Sequence, residues 1–155
     1  MASLFDLTRS TLSFYSVPAA FILQFLPNAW AMVAAGRNYD LCYPRRMEET
    51  CNKDQSLDKA SLTRILRAKA AANNGLESIG FYAGGIAAAN AAGVPAETIN
   101  SLAIAYIGLR IVYNFIYIIL QANRNFAPLR TLTWMTSIGV ISSLYIKAGN
   151  LIAAA

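Results

Sequence analysis

Charged residues are absent from long stretches of this chain, and those stretches have the length of membrane-crossing helices. No Asp, Glu, Lys or Arg occurs from Ser10 to Gly36, from Ser78 to Ala96 or from Thr131 to Ile146, and only Arg110 interrupts the run from Thr98 to Asn123. A span needs about 20 mostly apolar residues, within a range of about 17–25. The pattern predicts four helices, roughly 12–35, 61–92, 97–122 and 130–153, the second beginning polar. Phe21-Ile22-Leu23-Gln24-Phe25-Leu26 and Phe115-Ile116-Tyr117-Ile118-Ile119-Leu120 are apolar on nearly every side, whereas a surface helix of a soluble bundle keeps a polar stripe toward water. Ala29-Trp30-Ala31 resembles a signal-peptide cleavage site. The run before it is longer than an h-region of about 7–15 residues, and three more spans follow.

The connections complete the expected architecture. Residues 36–60 form the one long polar segment, a candidate lid or ligand-gating piece. Gly93-Val94-Pro95-Ala96-Glu97 reads as a tight reversal, with Gly closing one helix and Pro opening the next. Asn123 to Leu129 is also short. Short connections make consecutive helices antiparallel neighbours. The expected fold is therefore all-α, an integral-membrane four-helix up-down bundle in a single domain over residues 1–155.

Composition narrows the chemistry. The AVILMFWYC set makes up 56% of the chain and charged residues 14%, against about 45–50% and about 25% in soluble domains. Disordered chains and disulfide scaffolds are excluded. With no histidine, zinc hydrolases and Ser-His-Asp triads are excluded too. Arg37, Arg45, Arg46, Lys53, Lys59, Arg64, Arg67, Lys69, Arg124 and Arg130 lie on the side of the first and third loops, ten against only Arg9 and Lys147 opposite. That bias places loops one and three in the cytosol. Cys42 and Cys51 would then sit in a reducing compartment, without a disulfide, and no metal site is expected. The net charge of +5 reads as topology and partly as anion binding, not as a nucleic-acid surface.

The informative residues are the polar ones inside the spans. Arg64, Arg67, Asn74 and Glu77 follow one another along the second helix, and Tyr106, Arg110, Tyr113, Tyr117 and Arg124 along the third, at spacings that share a face. A charge at mid-bilayer costs about 2.5–3.5 kcal/mol even on a lenient scale. Glu77 and Arg110 thus need partners, either each other or a polar ligand. A buried network that registers the helices accounts for one Glu, one Arg and one Asn, but not for three tyrosines and a further arginine beside them. The set suits a small, multiply anionic ligand: guanidiniums for carboxylates, Asn and Glu for amide and ammonium groups, Tyr hydroxyls for a thiolate or carboxylate. Its reaction partner, arriving through lipid, is hydrophobic. Gly80, Gly84, Gly85, Ala89 and Gly93 add a small-residue surface for close helix packing.

At these positions the chain resembles the MAPEG family, the membrane-associated proteins of eicosanoid and glutathione metabolism, which include microsomal glutathione transferases. Arg67, Ala68, Ala71, Asn74 and Glu77 match the family's pattern Arg-Ala-x-Arg-Ala-x-x-Asn-x-x-Glu, and Arg110, Tyr113 and Tyr117 match Arg-x-x-Tyr-x-x-x-Tyr. Tyr39, Asp40, Pro44 and Arg45 are similar to its first-loop element. The resemblance implies a homotrimer in the endoplasmic reticulum membrane, with glutathione as co-substrate between subunits near the cytosolic face. It implies that Arg45, Arg67, Asn74, Glu77, Arg110, Tyr113 and Tyr117 bind glutathione, and that Arg124, with Tyr117, serves catalysis by stabilising the thiolate. The expected activity is conjugation or reduction of a lipophilic electrophile. Two departures stand out: Ala70 replaces a carboxylate-pairing arginine, and Ser78 replaces a tyrosine found in some members. They keep open a glutathione-independent isomerase or cyclase on the same fold, and a non-catalytic lipid-binding scaffold.

Overall fold

A computed structural model describes residues 6–154. Among them are five α-helices and no strand: α1 (Leu12–Ala35), α2 (Met47–Lys53), α3 (Lys59–Ala91), α4 (Ala96–Ile118) and α5 (Ala127–Ala153). The four long helices fall on the four predicted segments. The largest difference is at the end of α4, which stops at Ile118 and passes into a 3-10 turn, Leu120–Ala122. Asn123 then turns extended, and its side chain accepts from the Asn125 N–H at 3.0 Å. An asparagine that offers the backbone this local alternative competes with helix continuation.

Other boundaries follow from local chemistry. Asp58 starts α3 by accepting from the backbone N–H groups of Ala60 and Ser61, both at 3.0 Å, which satisfies donors that the first turn leaves free. Between α3 and α4, Gly93 adopts φ 77°, a left-handed conformation that glycine reaches without steric cost.

Two stretches, Leu12–Asn38 and Ala96–Ala122, are long and apolar enough to cross a membrane, with mean hydropathies of 1.4 and 1.8. Within the chain only 22% and 33% of their apolar windows are buried. A core helix of a soluble protein would be mostly covered, whereas here Phe21, Ile22, Val33, Ile111 and Phe115 stand exposed. Such a surface suits a lipid environment. The other two long helices, α3 and α5, are more polar.

Helix α3 is the hub, in contact with α1, α4 and α5. Its buried side is built of Ala68, Ala71, Ala72, Gly75, Gly85 and Ala89. At Gly75 a Cβ would lie 2.6 Å from Gln24 Oε1 and 2.8 Å from Gln24 Cγ, so α1 approaches at this point only because no side chain intervenes. Gly84 and Gly85 face Tyr145 of α5, and Gly80 faces open space. The Gly-x-x-x-Gly pair therefore packs through its second glycine. The main core stacks Tyr82 on Tyr106, centroids 4.0 Å apart, among Ile86, Ile99, Ile141 and Leu144.

Loop one is more ordered than its polar sequence suggested. It contains α2, whose Met47 and Cys51 pack with Ala31, Ala35, Ile65 and Ala68. Around Asp54 the loop closes on itself. Its carboxylate accepts from Ser56 Oγ at 2.6 Å, Asn38 Nδ2 at 2.7 Å and Arg37 Nη2 at 3.1 Å. These donors, Ser56 foremost, hold the carboxyl well below the usual carboxylate range. Burial pushes the Cys51 thiol above its ordinary value. Cys51 is thus an inert core residue, and both it and the exposed Cys42 are free.

Two outcomes follow from this packing. Gly75→Ala is expected to lower the melting temperature through an overpacking cost of about 1–3 kcal/mol, and Gln24→Ala in the same chain should return part of it. Equal and additive losses in the double variant would show that the two residues do not meet. At the loop, the Asp54 carboxyl sits lower in the folded than in the unfolded chain, so its stabilisation is present above the usual carboxylate value and is lost as pH falls toward the folded one. The melting-temperature gap between the natural chain and Asp54→Asn is expected to shrink from pH 7 to about pH 2.5, and a constant gap would contradict the assignment.

Candidate functional site

The polar faces of α3 and α4 meet beside the start of α5. Asn74 and Glu77 from α3, Tyr113 and Tyr117 from α4, and Arg130, Thr131 and Trp134 from α5 line one cavity of about 360 Å³. Within it Asn74 Nδ2 donates to the Tyr113 hydroxyl at 2.7 Å. The Tyr113 and Tyr117 rings meet edge to face at 5.7 Å, and the Arg130 guanidinium lies 4.7 Å from the Tyr117 ring centroid. Four of the residues expected from sequence are thereby brought together.

Arg110 stands behind this wall. It is 0% exposed, and its Nε, Nη1 and Nη2 have no hydrogen-bond partner among the described residues. Its one close contact of opposite character is the Tyr113 ring face, 4.5 Å away. Such a cation–π contact gives about 2 kcal/mol when desolvated, less than the several kcal/mol that burying an ion costs. The surplus positive potential acts on the cavity across the one ring they share, Tyr113.

The pairing of Glu77 with Arg110 considered from sequence does not form; among the described residues neither makes an ion pair. The reason lies in the helix faces. The inner part of the α4 stripe is turned to α1, where Gln24 Nε2 donates to the Tyr106 hydroxyl at 3.1 Å and Asn114 Nδ2 to the Leu23 carbonyl at 3.4 Å. Glu77 instead is exposed to the cavity on the α5 side.

The remaining expected residues are distributed elsewhere. Arg67 lines a second cleft of about 310 Å³, which also includes Ala70 and has Tyr117 as a wall in common with the first. Arg45, in the turn Pro44–Arg46, and Arg124, in the turn Arg124–Phe126, are exposed and line neither space. Ser78 is buried, donates to the Gly75 carbonyl at 2.9 Å and lies 3.2 Å from the Tyr106 hydroxyl. It belongs to the helix packing, not to the cavity wall. Arg130, Thr131 and Trp134 were missed as site residues. The available signal was the spacing of Arg130 and Trp134, one helical turn apart on a shared face; counting Arg130 only as a topology charge hid it.

The two long apolar helices and the polar cavity fit an α-helical membrane protein. The chain belongs to the MAPEG family, whose model matches residues 13–150, nearly its whole length. That family includes glutathione transferases and related enzymes. No curated protein and no solved structure matches the chain.

Proposed function

We propose that the chain is a glutathione-dependent membrane transferase with peroxidase capacity, conjugating or reducing a lipophilic electrophile. The observation that carries this reading is the cavity uniting Asn74, Glu77, Tyr113 and Tyr117 with Arg130. Its groups fit the ligand. Glu77 presents a carboxylate without an ion-pair partner to an ammonium, Arg67 has buried unpaired guanidinium nitrogens, and Arg110 supplies positive potential behind Tyr113. All four long helices cross the bilayer as an up-down bundle in one domain, with loops one and three on the cytosolic side of the endoplasmic reticulum. Three protomers complete the site: Arg45 and Arg124 are exposed and line neither space of their own chain, which leaves them free to serve a neighbour's.

The chemistry follows from charge. A cation beside a thiol favours its ionised form and lowers its pKa, and the thiolate is the nucleophile. Arg124 supplies that cation, Tyr117 directs a hydroxyl at the reacting sulfur, and Arg130 holds the Tyr117 ring. With no histidine in the chain, the thiol proton leaves to solvent. The lipid-facing side admits the electrophile.

A second reading has specific support: at Ala70 the cleft beside Tyr117 lacks the arginine of glutathione-binding members. An isomerase or cyclase acting on a hydrophobic intermediate would keep its activity after exhaustive thiol removal. A lipid-binding scaffold would bind lipid saturably without turnover.

Binding and turnover decide among them. The chain has two tryptophans, so Trp30→Phe leaves Trp134 as the sole reporter in the cavity wall, and glutathione is expected to change its fluorescence saturably. No such change, together with no conjugation of a generic aromatic electrophile, would sink the proposal. Arg124→Ala is expected to cut turnover at pH 7 by about tenfold or more, with recovery above about pH 9, because removing the cation returns the thiol pKa toward about 8.5. A loss that is the same at every pH would remove Arg124 from thiolate stabilisation.

A further inference from the structure

At the loop-one end of α1, outside both spaces beside Tyr117, a carboxylate and a guanidinium share a hollow without pairing. Trp30 and Ala34 of α1, Asp58 at the start of α3 and Arg64 in its second turn line a space of about 200 Å³. Asp58 and Arg64 are both exposed, and among the described residues neither makes an ion pair. The nearby Arg37 is engaged by Asp54 at 3.1 Å and by Ser56 Oγ at 2.8 Å, which leaves Arg64 as the cation of the lining. Separated charges of opposite sign in one hollow fit a ligand that carries both signs itself. Trp30 adds a half-exposed indole, the best aromatic partner for a cationic group. Tryptophan near the end of an apolar helix also marks the level of lipid headgroups. From Trp30 an exposed apolar stripe, Leu26 and then Ile22, leads away along α1, each four residues from the last and so on one face. It extends for about 12 Å.

We infer that this hollow holds the zwitterionic headgroup of a phospholipid, with its phosphate on Arg64, its ammonium between Asp58 and the Trp30 ring, and an acyl chain laid along Leu26 and Ile22. The charges assign the class. An anionic lipid would bring a phosphate to Arg64 but nothing to Asp58, which would repel it. The stripe assigns the source, since a free headgroup has no apolar part to cover Leu26 and Ile22. The carboxylate is held in place, because Asp58 Oδ1 accepts from the backbone N–H groups of Ala60 and Ser61. This inference is independent of what fills the cavity beside Tyr113.

The chain has two tryptophans, so Trp134→Phe leaves Trp30 as the sole reporter at the hollow. The full-length protein in dodecyl maltoside micelles is titrated with phosphatidylcholine and with phosphatidylglycerol of the same acyl chains, and Trp30 emission is followed. Phosphatidylcholine is expected to shift the emission saturably, with an apparent Kd about threefold or more below that of phosphatidylglycerol. A basic surface such as that of loop one by itself favours the anionic lipid, so this order is diagnostic. Arg64→Ala is expected to weaken both lipids by about fivefold, and Arg64→Lys to restore part of the affinity. Asp58→Asn keeps the start of α3 capped, because Asn caps as well as Asp, and is expected to abolish the discrimination between the two lipids. Free phosphocholine is expected to bind at least about a hundredfold more weakly than the lipid, for want of a chain to bury. A preference for phosphatidylglycerol overturns the inference. Binding of both lipids that is indifferent to Arg64→Ala and Asp58→Asn also overturns it, because contact with unselected bilayer lipid then accounts for the signal. Phosphocholine that binds as tightly as the lipid overturns it as well, and gives the hollow to a soluble ligand. Each of these outcomes leaves the glutathione reading standing.

Discussion

The close approach of α1 to α3 at Gly75 is the constraint on which the rest of the structure depends. Gln24 fills the volume where a Cβ would stand, and from there its amide reaches the Tyr106 hydroxyl on α4. One missing side chain thus ties three helices at one level. Ser78, bonded to the Gly75 carbonyl and beside Tyr106, closes the same layer. Because helices in lipid gain little from excluding water between them, small residues and interhelical hydrogen bonds carry their registration. A shift of α3 by one residue would turn Asn74 away from Tyr113 and dissolve the cavity wall.

The same layer explains how Arg110 is accommodated. Among the described residues, Gln24 Oε1 and Asn114 Oδ1 are buried acceptors without donors, and the Arg110 nitrogens are buried donors without acceptors. Complementary groups are present on the same faces of α1 and α4, yet they are engaged elsewhere by their other atoms. The helix register that serves Tyr106 and the Leu23 carbonyl leaves Arg110 with an aromatic face alone. A purely structural layer would gain by replacing such a residue with an apolar one of similar volume. An arginine held against Tyr113, which itself lines the cavity, has an electrostatic use there that an apolar residue lacks.

Much of the fold was legible because missing charges mark helices directly: α1 begins and ends where the sequence pattern placed it. The end of α4 was not, since Ile119 and Leu120 are as apolar as what precedes them, and only the side chain of Asn123 marks the break. Helix α2 was hidden by its polarity, its register resting on the burial of Met47 and Cys51 against other helices. In the site, the α4 stripe at Tyr113 and Tyr117 was readable because its members are nearly in line. The α3 set was less so. Arg67 and Asn74 share nearly one face but lie about two turns apart along the helix, so that one stripe serves different spaces: Asn74 and Glu77 the cavity, and Arg67 the cleft beyond Tyr117. Periodicity gives a face only to within the width of a neighbouring helix, and the division is made by where α5 lies.

That division gives the site its polarity. On one side of Tyr117 stands a carboxylate, Glu77, whose nearest cation in the same wall, Arg130, is turned onto the Tyr117 ring. On the other stand Arg67 and Lys69, with Glu48 at the rim. A symmetric dianion would meet repulsion from Glu77, and a simple cation would meet Arg67. The arrangement instead suits an elongated molecule, positive at one end and negative at the other, lying across an aromatic ridge. Tyr117 is the one residue that lines both spaces. The absence of histidine is consistent with this geometry: a reactant that brings its own nucleophile needs from the protein only placed charges and a hydroxyl at its centre.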